Sequence, residues 1–119
     1  MFGLGPATRI YVGIEPIDLR KGFDGLYGLV RDQLGHDPLS GHLFLFINSS
    51  RTRIKALVWD GSGLWVCTKR LEKGRFHWPS ASGTGSVTMR PEELSMLING
   101  LDLTQAKPRR NWLRRGAAA

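Results

Sequence analysis

The chain has 119 residues, 41% of them hydrophobic, and a formal net charge of +7, which suits one compact domain with a modest core and leaves no room for a second. A single cysteine, Cys67, excludes an intramolecular disulfide framework, and no apolar run approaches the roughly 20 residues that span a bilayer. The segment MFGLGPATRIYVG lacks the charged start and apolar stretch of a secretion signal, so the expectation is a soluble protein of a reducing cytoplasm.

Arg9 to Gly13 has the β-branched and aromatic content of a short strand, and Pro16 turns the chain after it. Phe23, Leu26, Tyr27, Val30 and Leu34 then recur at three- and four-residue steps, which predicts a helix with one apolar stripe, ended by Gly35 in a left-handed cap. Gly22, Gly25 and Gly28 weaken that helix by up to about 1 kcal/mol each, so they are expected to permit close backbone packing against a sheet or a partner.

Leu43 to Ile47 is too short for a typical helix and reads as a buried strand, followed by a turn at Asn48 to Ser50. From Arg51 to Trp59 the residues alternate, with Thr52, Ile54, Ala56 and Val58 pointing one way and Arg51, Arg53, Lys55, Leu57 and Trp59 the other. Asp60-Gly61-Ser62-Gly63 is a hairpin signal, and Leu64 to Arg70 is the return strand. Placing Trp59 opposite Leu64 sets Arg53 across from Arg70 and Lys55 across from Thr68, a like-charge juxtaposition that is destabilising unless it is splayed, offset by acidic neighbours or used to hold an anion.

Past the Glu72-Lys73-Gly74 turn, Arg75 to Trp78 is expected to be a further strand, with Phe76 and Trp78 on one face and Arg75 and His77 on the other. Ser80 to Ser86 reads as a mobile small-residue loop, Ser86 to Met89 as a brief strand, and Pro91 as the start of a helix that buries Leu94, Leu97, Ile98 and Leu101, with Gly100 near its end. Residues 1–105 therefore form one α+β domain, a twisted and mainly antiparallel sheet with two helices packed on it. Residues 106–119 form a basic arm expected to be disordered. Lys107, Arg109, Arg110, Arg114 and Arg115 give it five positive charges and no negative one, which leaves only +2 for the rest of the chain.

Metal-dependent DNA chemistry requires several carboxylates converging on two cations. The acidic residues here have local duties instead: Asp18 lies just before a helix, Asp37 precedes a proline turn, Asp60 opens a hairpin, and Glu92 and Glu93 occupy a first helical turn. His36, His42 and His77 lack zinc-finger spacing, and Gly83-Thr84-Gly85-Ser86 lacks the lysine of a phosphate loop. No catalytic residue, metal site or cofactor is expected.

The remaining functional candidates are cationic. Arg51, Arg53, Lys55, Lys69, Arg70, Lys73 and Arg75, with Trp59, Phe76 and Trp78 nearby, could follow a phosphate backbone while the rings stack on unpaired bases. The plainer alternative is a solvated sheet face over core aromatics, and alternation does turn Phe76 and Trp78 away from Arg75 and His77. Arg20, Lys21, Gly22 and Phe23 precede or open the first helix and are candidates for partner binding, although Asp18 and Asp24 can neutralise Lys21 in a salt-linked turn. Trp112, set among the arginines of the arm, is a further candidate partner contact.

Three blocks, Asp18 to Leu26 (DLRKGFDGL), Asp37 to Phe46 (DPLSGHLFLF) and Lys69 to Pro79 (KRLEKGRFHWP), give the chain a family signature. In order and spacing it resembles, from about Thr8 to Asp102, the transposition accessory protein encoded by the second open reading frame of bacterial insertion sequences of family sixty-six, which is unrelated to the RNA-guided nuclease that shares its name. The resemblance implies a non-catalytic role in DNA transposition beside a separate transposase, in the bacterial cytoplasm and at the nucleoid when acting. Two modes fit it: weak, non-specific DNA binding, or an adapter that binds the transposase or another element-encoded protein without touching DNA. Members of the family usually carry Ser or Thr before the helix-opening proline, so Arg90 is expected to leave the last helix without a side-chain cap.

Overall fold

The computed structural model describes residues 7–79, 86–99, 101–102 and 107–108. The expectations for the loop at 80–85, for Gly100 and for the arm from Arg109 onward lie outside the described residues. The elements are β1 (Ile10–Gly13), α1 (Phe23–Leu29), β2 (Leu43–Ile47), β3 (Arg53–Trp59), β4 (Leu64–Arg70), β5 (Ser86–Met89), α2 (Pro91–Ile98), β6 (Leu101–Asp102) and β7 (Lys107–Pro108). The first five strands form one sheet in the order β4-β3-β2-β1-β5, parallel between β1 and β2 and antiparallel elsewhere, and this is the expected α+β fold. β6 and β7 pair separately and antiparallel, Asp102 with Lys107.

All five residues of β2 are buried, Leu43, Leu45 and Ile47 against one apolar cluster and Phe44 and Phe46 against another. A strand apolar on both sides must be covered on both sides. The two helices accordingly lie on opposite faces. Leu26, Leu29 and Val30 of the first helical segment meet Phe44, Phe46 and Leu57, while Leu94 and Leu97 of α2 meet the side that carries Ile54, Ala56 and Val58.

α1 continues as a π-helical turn, Val30–Leu34, and Gly35 ends it at φ 70°, the left-handed conformation its sequence position predicts. Phe23, expected in the apolar stripe, is 51% exposed, because Ile17 and Leu19 of the incoming loop already cover that end of the sheet. The helix glycines do not pack on the sheet. A Cβ added at Gly22 or Gly28 would meet nothing within 4 Å, and one at Gly25 would press on the Lys21 side chain at 2.9 Å.

The expected strand at Arg75 to Trp78 is absent. The segment crosses the α2 face of the sheet, from the β4 edge toward the β5 edge, and is held by anchors rather than by a ladder. The Phe76 amide donates to the Arg51 carbonyl (2.7 Å), the Trp78 indole N–H donates to the Gly13 carbonyl (2.7 Å), and both rings are buried in the core. Its alternation is therefore that of an extended strap with its apolar residues turned inward.

At α2 the side-chain cap is missing, as expected, and a bond in the reverse sense is made instead. Arginine has no acceptor to offer the first amides, but the Glu93 carboxylate accepts from the Arg90 backbone N–H (3.0 Å) and from its guanidinium (3.1 Å). The hairpin turn is likewise built on one carboxylate. Asp60 accepts from the Ser62 and Gly63 amides, the Ser62 hydroxyl and the Trp65 indole, and these donors hold its pKa at about 2.

Replacing Trp78 by Phe keeps the ring but leaves the Gly13 carbonyl without its donor, so stability should fall by about 1–3 kcal/mol in urea unfolding. Asp60 provides a pH test with a definite sign. Its folded pKa lies below the usual 3.8, so its contribution is present above that value and lost as pH falls through about 2. The Asp60→Ala protein should melt below the parent at neutral pH, and the gap should close over that acid window.

Candidate nucleic-acid interface

The basic tract is sorted by strand alternation. Arg53 and Lys55 of β3 and Arg70 of β4 stand on the α1 face, with Arg53 directly opposite Arg70 and Lys55 opposite Thr68, the register read from the hairpin turn. Lys69 stands on the other face, opposite Ile54. Its ammonium donates to the Ile98 carbonyl (2.7 Å) at the end of α2, and partial burial lowers its pKa. It acts as a helix C-terminal cation. The same hairpin register could have shown this, since it sets Lys69 against an apolar partner.

Arg51 does not extend β3. It sits in the Asn48–Arg51 turn at φ 60°, an uncommon conformation for a side-chain-bearing residue, with its amide bonded to the Asn48 carbonyl (3.1 Å). The Asn48 side-chain carbonyl accepts from the Thr52 and Arg53 amides, and its NH₂ donates to the Ser50 and Thr52 hydroxyls. This turn gathers the cations. The Leu71 amide bonds to the Thr52 carbonyl and the Phe76 amide to the Arg51 carbonyl, so Arg51, Arg53, Arg70, Lys73 and Arg75 share one end of the sheet. Four of them, Arg51, Arg53, Arg70 and Arg75, are exposed arginines. The only carboxylate bonded to these four among the described residues is Glu72, 3.3 Å from Arg70.

The aromatic half of the candidate tract goes elsewhere. Phe76 and Trp78 are buried in the core, and Trp59 lies at the far end of β3. Trp65, which the sequence reading did not single out, is the exposed aromatic of the hairpin at 53%, hydrogen-bonded to Asp60.

The structure adds a neighbour to the basic end. The Lys55 ammonium donates to the Lys21 carbonyl (3.0 Å), and the Ile17 amide bonds to Ile47 at the end of β2, which brings the loop before α1 alongside. Between that loop and the Asn48 turn runs a cleft of about 530 Å³. Arg20, not Lys21, is the residue neutralised there. Its guanidinium grips Asp18 through three bonds of 2.8–3.1 Å, which holds the Asp18 pKa at about 2. Sequence separation hid this convergence, because it depends on the β1–β2 pairing. Gly22 and Phe23 follow in the chain and do not line the cleft, while Arg109, Arg110, Trp112, Arg114 and Arg115 lie outside the described residues and only the backbone of Lys107 is placed.

No three of the Asp, Glu, His and Cys side chains among the described residues converge as metal ligands would. His36 stacks on Tyr11 with ring centroids 4.0 Å apart, and His42 Nδ1 accepts the Arg9 amide (2.9 Å). Among the described residues no helix is long and apolar enough to cross a membrane.

A family model described as "IS66 Orf2 like protein" matches residues 8–108. The chain is similar to two uncharacterized proteins of Sinorhizobium fredii (strain NBRC 101917 / NGR234). It is 41% identical to y4jC over 107 residues, covering 90% of this chain and 91% of that protein. It is 38% identical to y4hO over 112 residues, covering 94% and 95%. No solved structure matches the chain.

Arg51 separates stability from binding. Glycine at this position relieves the left-handed strain, so Arg51→Gly should raise stability by about 1 kcal/mol in urea unfolding while removing one cation from the basic end.

Proposed function

The chain belongs to the IS66 Orf2-like family of insertion-sequence accessory proteins, and we propose that it assists transposition by holding DNA weakly, without reading its sequence, beside a separate transposase. The observation that carries this reading is the Arg53–Arg70 pair, like charges directly opposite on an exposed strand end, backed by Arg51 and Arg75. Cross-strand like charges cost stability in the free protein, and a polyanion turns that cost into attraction. Among the described residues no element is presented as a groove-reading helix, and the exposed cations lie at a strand end and in turns, a placement suited to phosphates rather than base edges. The cations of the arm, Lys107 among them, add phosphate contacts of the same kind. The role is non-catalytic: Asp18, Asp60 and Glu93 are each bound to donors of their own loop or helix start.

A second reading rests on Phe23, half exposed at the start of α1 beside Gly22, where added bulk meets nothing. It is that of an adapter gripping the transposase or another element-encoded protein. A transposase complex that survives nuclease treatment and is lost in Phe23→Ser would favour it.

Fluorescence anisotropy with duplex from the element ends, titrated against salt, tests the DNA reading. Changing Arg51, Arg53, Arg70 and Arg75 together to glutamine should leave melting unchanged or slightly raised, since it relieves the Arg53–Arg70 repulsion, and reduce the logarithmic salt slope by about 3 to 4 units, at roughly 0.9 per phosphate. Lys69→Gln should do the reverse, lowering the melting temperature and sparing the slope. An unaltered slope in the fourfold variant refutes phosphate contact at this end of the sheet.

A further inference from the structure

The cleft beside the basic end has the chemistry of a seat for one flat, anionic group. One wall is the loop before α1, with Pro16, Ile17 and Leu19 as its apolar part and the mutually paired Asp18 and Arg20 beside them, and the opposite wall is Asn48, Ser49 and Arg53 of the β2–β3 turn and strand. Its volume of about 530 Å³ lies within the range of small-ligand sites. Arg53 supplies the charge. Among the described residues it has no carboxylate partner, whereas Arg20 on the loop side is occupied by Asp18.

Little hydrogen-bond readout is left inside the cleft, since the exposed Ser49 hydroxyl serves donors and acceptors alike. The Asn48 amide serves Ser50, Thr52 and Arg53 within its own turn, the Ile17 amide serves Ile47, and Pro16 has none to give. A ligand held here is therefore gripped by shape, by apolar contact, by one guanidinium and by a hydroxyl that meets donor and acceptor edges alike. Arg70, about 5 Å across the strand pair from Arg53, extends the positive charge in a line leading out of the cleft. A lone small anion would leave that line and the apolar wall unused. An unpaired nucleotide in a DNA strand uses both, with its phosphates along Arg70 and Arg53 and its base against Ile17 and Leu19.

We infer that this cleft takes an unpaired base of single-stranded or frayed DNA, so that the protein prefers a DNA end or junction with an unpaired strand over continuous duplex. The inference rests on the DNA-binding reading and specifies the substrate of the same site.

The test compares three probes on the full chain by anisotropy: a blunt duplex, the same duplex with a six-thymidine tail, and the same duplex with an abasic tail of equal length. The two tails carry the same phosphates and differ only in the base. The thymidine tail should bind roughly fivefold or more tighter than the abasic tail, the lower end of what one base contact supplies. Ser49→Leu, an exposed position that narrows the cleft, should erase that difference and leave blunt-duplex affinity unchanged. Equal binding of the two tails overturns the base seat while blunt-duplex binding keeps the broader reading alive. Failure of all three probes removes both. Displacement of the tail advantage by an oligoglutamate peptide with no effect on blunt duplex would assign the cleft to an acidic protein segment and also overturn the proposal.

Discussion

The fold turns on β2. Five consecutive apolar residues at the centre of a five-stranded sheet oblige the chain to cover both faces, and a chain of this length has few elements with which to do it. One face goes to α1, which lies between β1 and β2 in the sequence and returns the chain so that those strands run parallel. The other face is covered by α2 together with the strap that carries Phe76 and Trp78. Phe76 is 1% exposed and Trp78 7%, so the strap contributes core in proportion to its bulk although it has no secondary structure of its own.

That arrangement also fixes where charge can go. With both faces occupied near the middle, cations remain exposed at the strand ends and in the turns. The basic end gathers where β3 begins, β4 finishes and the strap departs, three segments tied by the amides of Leu71 and Phe76. Lys69 shows the limit of counting charges along a sequence. It sits between Thr68 and Arg70 yet faces the opposite side of the sheet, where its value lies in meeting the carbonyl end of α2.

The sequence was most legible where a single local rule dominates. Gly35 as a left-handed cap, the Asp60-Gly61 hairpin with its register, and the buried run at Leu43 to Ile47 each follow from one residue type in one setting. The resemblance to a family of transposition accessory proteins agrees with the family match. Arg75 to Trp78 was misread as a strand because an inward-outward alternation belongs to any extended segment lying on a core, and a sequence does not reveal whether a neighbouring backbone is free to pair. The cleft was invisible for another reason: its walls, near Ile17 and near Asn48, are joined only by the long-range packing of the loop onto β2. Arg90 does leave the helix without a side-chain cap, and what its own lack of an acceptor did not reveal is that Glu93 three residues later takes up the Arg90 N–H.

The position of β1 carries a consequence for the making of the protein. Among the strands of its sheet β1 is the first to leave the ribosome, and one of its edges pairs with β5, Ile10 with Met89, the last of them. Until β5 emerges that edge is open, and until Phe76, Trp78 and α2 emerge the sheet has one naked apolar face. A nascent chain halted after β4 is thus a sheet with a free edge and half a core, the kind of species that associates with its own copies. Synthesis of this domain should therefore depend on chaperones or on rapid emergence of the strap, β5 and α2, and a frameshift or stop between β4 and α2 should yield aggregate rather than a partly working domain.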